Sequence, residues 1–158
     1  MKINISLRSL MLIAALAILT GCASVPMAPK EKDAASKTFS APPPDMAGVY
    51  IFRTNSFGGA ALSKRLSMDG VAIGKTAKGV YYHLTVKPCE HTIATESEFG
   101  DNVLKFTAEA GKNYFFQQYI KMGVFIGGSG IQAVSEEEGK QNVLQCTEAN
   151  LTEAAPIH

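Results

Sequence analysis

The chain has no tryptophan, only three cysteines and three histidines, and no excess of either charge: 15 Lys and Arg stand against 14 Asp and Glu in 158 residues. A net charge of +1 leaves nothing to neutralise a phosphate backbone, and no basic cluster lies beside the aromatic residues, so nucleic-acid binding is disfavoured. Beyond the N-terminus no apolar run approaches the roughly 20 residues that span a bilayer, which argues against a multi-span membrane protein. Gly 14 and Pro 7 are too few for a low-complexity chain, and no repeat of solenoid length is visible. The length fits one small globular body.

What is present at the N-terminus is an address. Lys2 and Arg8 make a basic start, and Leu10 to Leu19 is a purely apolar run, too short to span comfortably and suited to a secretory signal peptide over residues 1–21. Leu19-Thr20-Gly21-Cys22 follows, and it resembles the lipobox of bacterial lipoproteins. The resemblance implies acylation of the Cys22 thiol, cleavage before it and acylation of the new amine, with palmitate among the chains. Two lipid signals already give stable anchoring, so such a modification would hold the protein to a membrane. Ala23 and Ser24, with no Asp after the cysteine, imply the periplasmic face of the outer membrane in a Gram-negative host.

Residues 22–45 are rich in Pro, Ala, Ser and charge and poor in large apolar side chains. They read as a flexible tether, stiffened near the domain by Pro42-Pro43-Pro44, because they bury too little to offset their ordering entropy. From Met46 the period changes to two. Strands are expected at Val49–Arg53, Leu62–Met68, Val71–Thr76, Val80–Val86, His91–Ser97, Val103–Ala108 and Asn113–Lys121, with Asp69-Gly70 a hairpin turn that needs positive φ. Ser135 followed by Glu136, Glu137 and Glu138 reads as a capped helix start, predicting a short helix over Glu136–Leu144 despite Gly139. The fold expected is mainly β, a small antiparallel β-sandwich or open barrel over residues 46–150 with one short C-terminal helix, and a disordered tail at 151–158.

Chemistry is hard to find. His83, Cys89 and His91 offer soft ligands, but no second pair has ligand spacing, so no metal is expected. Glu96 and Glu98 share a strand face and could work as acid and base only with a partner opposite. No nucleophile has a recognisable setting, and neither Gly-rich stretch has the surroundings of a phosphate loop, so no cofactor and no catalytic residue is expected. An enzyme would have to gather Glu96, Glu98, His83 and His91 into one small hydrolase-like pocket. With Cys22 assigned to lipid, Cys89 and Cys146 remain as an even pair, and export predicts a disulfide between them. The run Met122 to Gly130 could present Phe125 and Ile126 to a partner, although buried strand is the plainer account.

Met68–Gly74, Val86–Ile93 and Ala110–Tyr114 resemble small surface β-sandwiches of the PEGA kind. With Gly48–Arg53 and Gln118–Phe125 the chain over residues 46–145 is similar to a family of bacterial lipoproteins containing a domain of unknown function. The resemblance implies a β fold and an envelope address and supplies no catalytic residues. In such domains the turn before Glu-His-Thr usually carries glycine; Cys89 stands there here, which fits a disulfide peculiar to this chain. The function expected is a lipid-anchored, non-catalytic binding or structural module, the rivals being the enzyme above and an accessory subunit of an envelope machine.

Overall fold

The structure, a computed structural model, describes residues 25–56, 58–124 and 127–152. Among these residues nine strands form two sheets: β1 (Ala47–Arg53), β2 (Lys64–Met68), β3 (Val71–Thr76), β4 (Val80–Val86), β5 (Glu90–Thr95), β6 (Asn102–Thr107), β7 (Asn113–Lys121), β8 (Gly128–Val134) and β9 (Thr147–Glu148). Among the described residues two helices accompany them, α1 (Lys30–Ser36) and α2 (Glu136–Leu144). The large sheet has the order β8-β7-β1-β4-β9 and the small one β3-β2-β5-β6, a mainly β architecture in which β1–β7 and β4–β9 pair in parallel and the rest antiparallel. The expected β-sandwich is there. Val49, Ile51, Leu84, Val86 and Phe116 of the large sheet close on Leu66, Met68, Ile73 and Ile93 of the small one.

The Asp69-Gly70 turn forms with φ of 51° and 79°, values that exclude β-branched residues and fix the β2–β3 register. The Ser135 side chain accepts the Glu138 amide and starts α2 as expected. Gly139 inside that helix is explained by close approach: a Cβ there would run into the Phe115 side chain. Because of that approach α2 lies directly on the outer face of the large sheet.

The main departure concerns residues 22–45, expected to be a flexible tether. From Val25 onward they are laid on the domain. Met27 bridges Ala149, the Ala28 amide donates to Glu148 O, the Asn150 amide donates to Pro26 O, and α1 then crosses the outer face of the large sheet. Val25 is a member of the main core. The domain therefore begins at least twenty residues before Met46. It also extends past residue 150, since Leu151 packs on the core and the Thr152 amide donates to Ile73 O. The tail from 153 and the signal segment with Cys22 lie outside the described residues.

β8 and β9 are further additions. Gly128-Ser129-Gly130 has low strand propensity, yet these residues are buried, and a Cβ on Gly130 would meet Tyr119 and Lys121. Glycine here serves the close packing of an edge strand.

Candidate functional site

Every residue of β1 is buried, so the centre of the large sheet is covered on both faces. On the outer face Tyr50, Phe52, Tyr81 and Phe115 pack with Val143 and Cys146 beneath the helices. Polar groups are sealed in with them. The Tyr50 hydroxyl donates to Ser36 O at 3.0 Å, and the Tyr81 hydroxyl lies 3.3 Å from Asp33 O and 3.4 Å from Glu148 Oε2. Glu148 is fully buried, with the Lys32 ammonium 3.0 Å from its Oε1 and its own amide donating to the Asp33 carboxylate. His83 stacks on Tyr50 with ring centroids 4.2 Å apart, and its Nδ1 is 3.1 Å from Ser36 Oγ.

Burial dominates the electrostatics of this cluster. It pushes the Tyr50 phenol up to about 12, Glu148 adding to the shift, and raises Tyr81 in the same direction. It lowers His83 against the opposing pull of Glu148, favouring a neutral ring. For Asp33, burial is outweighed by the Lys37 ammonium and the Glu148 amide, which hold the carboxyl below its usual value. A cleft of about 350 Å³ opens beside these groups, lined by Thr38, Ser40, Pro43, His83, Thr85 and Asn113 among others. Asn113 ties the chain down there by donating to Phe39 O and Ser40 O. The cluster holds α1 in place, with Ser36 buried against Tyr50 and His83.

A second polar group lies at the end of the sandwich where β4 turns into β5. The buried His91 ring has Asp69 Oδ2 at 2.6 Å from Nδ1, and Lys87 O at 2.8 Å and Cys89 Sγ at 3.3 Å from Nε2. Burial raises the Asp69 carboxyl, but the Thr92 amide and His91 more than offset it and leave it below its ordinary value. Asp69 and Cys89 stand on opposite nitrogens of the ring and so cannot face one ion. Among the described residues no group of three His, Cys, Asp or Glu is placed to hold a metal.

The opposite end carries a third feature. The Arg53 guanidinium, buried at the end of β1, donates to Gly59 O and Leu62 O and fastens the β1–β2 loop. Close by, the Glu98 carboxylate accepts the Val124 amide at 2.8 Å and joins the β5–β6 turn to the β7–β8 loop. Phe99, Met122 and Val124 are 81%, 102% and 74% exposed there. Phe125 and Ile126, the expected partner contact, lie outside the described residues next to them.

The four residues an enzyme would have needed together are apart. His83 is on the outer face, His91 at the β4–β5 end, Glu96 holds the Arg65 amide, and Glu98 holds the β7–β8 loop. The expected disulfide is also absent: Cys89 and Cys146 are free thiols, one exposed and one buried. Cys146 directly precedes Thr147, which pairs with Val80, whereas Cys89 follows Val86. The length of β4, about 20 Å at roughly 3.3 Å per residue, separates them, and a disulfide needs Cα atoms within about 7 Å. Sequence reasoning missed Asp69 as the partner of His91, and it missed Tyr50, Tyr81 and Glu148. For Asp69 the signal was present but was used up by the turn.

This two-sheet domain, roofed by a strap from its own N-terminal segment, has relatives. The family model "Protein of unknown function (DUF2846)" matches residues 43–129. An uncharacterized protein of Haemophilus influenzae is 47% identical over 126 residues, 80% of this chain and 74% of the relative. The chain belongs to the DUF2846 family. No solved structure matches it.

Proposed function

We propose that the protein is a lipid-anchored envelope protein that acts as a non-catalytic binding module, with residues 1–21 removed and Cys22 acylated. The basic start, the short apolar run and Leu19-Thr20-Gly21-Cys22 support the anchor, and no helix among the described residues is long and apolar enough to cross a membrane. The PEGA-like hairpin around Asp69-Gly70 supports a surface role. In a Gram-negative host the anchor places the domain on the periplasmic face of the outer membrane.

The observation that carries the binding role is the exposure of Phe99, Met122 and Val124 at one corner. That corner belongs to the β8 edge of the large sheet, while the chain enters beside Asn150 and Leu151 at the β9 edge, four strand spacings or about 19 Å away. Cys22 is three residues before Val25, a reach of about 10 Å at full extension. The anchor therefore holds the β9 edge close to the bilayer and leaves the apolar corner facing a protein partner. The dispersal of Glu96, Glu98, His83 and His91 favours this module over the enzyme, and the same corner would serve an accessory subunit of an envelope machine.

The test is membrane fractionation with metabolic palmitate labelling of the wild type and of Cys22→Ala. The wild type should be labelled and membrane-bound, and the variant should be neither; a labelled, membrane-bound variant would overturn the anchor. A photo-crosslinking residue at Met122 should give a discrete protein adduct that one at Lys105 does not, and equal, diffuse products from both would overturn the binding corner.

A further inference from the structure

We infer that Cys89, His91 and Asp69 form a thiol-exchange site, at which an accessible cysteine takes up a small disulfide as a mixed-disulfide adduct. Asp69 comes from the β2–β3 turn, Cys89 from the β4–β5 turn and His91 from the start of β5, and the β2–β5 pairing brings them together. Cys89 is exposed, His91 is buried, and Asp69 reaches Nδ1 from the β2–β3 turn while also accepting the Thr92 amide. None of these contacts depends on the anchor proposed above.

The hydrogen bonds place a proton acceptor, His91 Nε2, 3.3 Å from the thiol. Both imidazole nitrogens face oxygen acceptors, Asp69 Oδ2 at 2.6 Å and Lys87 O at 2.8 Å. A ring with one proton leaves one of those oxygens against a bare nitrogen lone pair, an unfavourable contact inside a buried site. In the exchange step a proton passed from Cys89 to Nε2 lets both N–H groups donate. The thiolate left behind sits 3.3 Å from Nε2 and is held by the charge beside it. Asp69 acts through His91 as a positioning residue. The other charges around the site are Lys87 in the same turn, the Glu90–Lys105 pair across β5 and β6, and Glu109 with Lys112 in the neighbouring turn.

The reaction follows from the thiolate. Cys89 Sγ attacks one sulfur of a disulfide R–S–S–R; the new S–S bond forms as the old one breaks, and the electron pair leaves on R–S⁻, which regains the proton from His91 through solvent. Cys89 is oxidised and one R–S group is reduced. Among the described residues no second thiol can resolve the adduct. Cys146 is buried at the far end of β4, its Sγ 3.5 Å from Arg53 O, and burial pushes its thiol up to about 11. The adduct then persists until an external thiol removes it.

The test uses glutathione disulfide as probe on the full chain, following the intact mass and mapping the modified peptide. At pH 6 Cys89 should react ~10-fold or more faster in the folded protein than in the same chain unfolded in urea, and the advantage should shrink toward pH 9 as every thiol ionises. Cys146 should stay unmodified while the protein is folded. His91→Gln should remove the pH 6 advantage yet leave the adduct forming at pH 9, and Asp69→Asn should reduce it partly. Because the His91 variant removes a buried side chain, the folded-against-unfolded comparison on the wild type decides alone if that variant does not fold. Equal or slower reaction of folded Cys89 at pH 6 overturns the proposal, as does preferential modification of Cys146.

Discussion

The two faces of the large sheet are covered in different ways. The inner face is apolar, with Val49, Ile51, Leu84 and Phe116 closed by a second sheet, and its stability scales with area removed from water. The outer face is aromatic and polar, with Tyr50, Tyr81, His83 and Glu148 closed by α1 and the chain around it, and its contacts are directional. The hydroxyls of Tyr50 and Tyr81 reach carbonyls of the strap, so the segment is fastened at particular points along its length. A short segment with few apolar side chains can be held this way although it could never hold itself by burial.

That comparison can be broken by removing one cover. A chain starting at Asp45 in place of Val25 loses the buried Val25, Ala28 and Ser36 and uncovers Tyr50 and Tyr81. We expect a loss on the order of 4 kcal/mol or more in chemical denaturation, against no change if the segment were a tether. Comparing single side chains sharpens the contrast. Phe116→Ala on the inner face should cost about 3–5 kcal/mol, whereas Tyr81→Phe on the outer face keeps the ring and should cost only about 0.5–1.5 kcal/mol, the worth of the hydroxyl's hydrogen bonds. The same denaturation curves measure both.

The smallest effect is on pH dependence. Burial lowers the folded-state value of His83, so in acid the unfolded chain binds the proton more readily than the folded one. The stability this group supports is present above its unfolded value, about 6.5, and is lost as pH falls through its lower folded value. Denaturation midpoints between pH 7.5 and 5 should show that loss for the wild type and a flatter profile for His83→Gln.

Much of the inner face was legible in the sequence and little of the outer face was. Asp69-Gly70 and Ser135 announce a turn and a helix start because few residue types satisfy positive φ or accept first-turn amides. The strap announces nothing, since its partners for Tyr50, Tyr81 and Asn113 are backbone carbonyls, which every residue carries. β1 shows no alternation because both its faces are buried, so the sequence pattern alone does not reveal a second cover. The count of cysteines predicted a disulfide because parity carries no information about which end of β4 each one occupies. His91 and Asp69 are far apart in sequence, and only the β2–β5 register brings them together.

Hydrogen exchange on the full chain tests most directly whether residues 25–45 belong to the fold. The Ala28 amide bonds to Glu148 O, and the Ala149 amide beside it bonds to Tyr81 O. If the strap is part of the domain, the Ala28, Asp33 and Lys37 amides are protected together with Ala149. Exchange of those three at the rate of an unstructured chain, with Ala149 still protected, would contradict it.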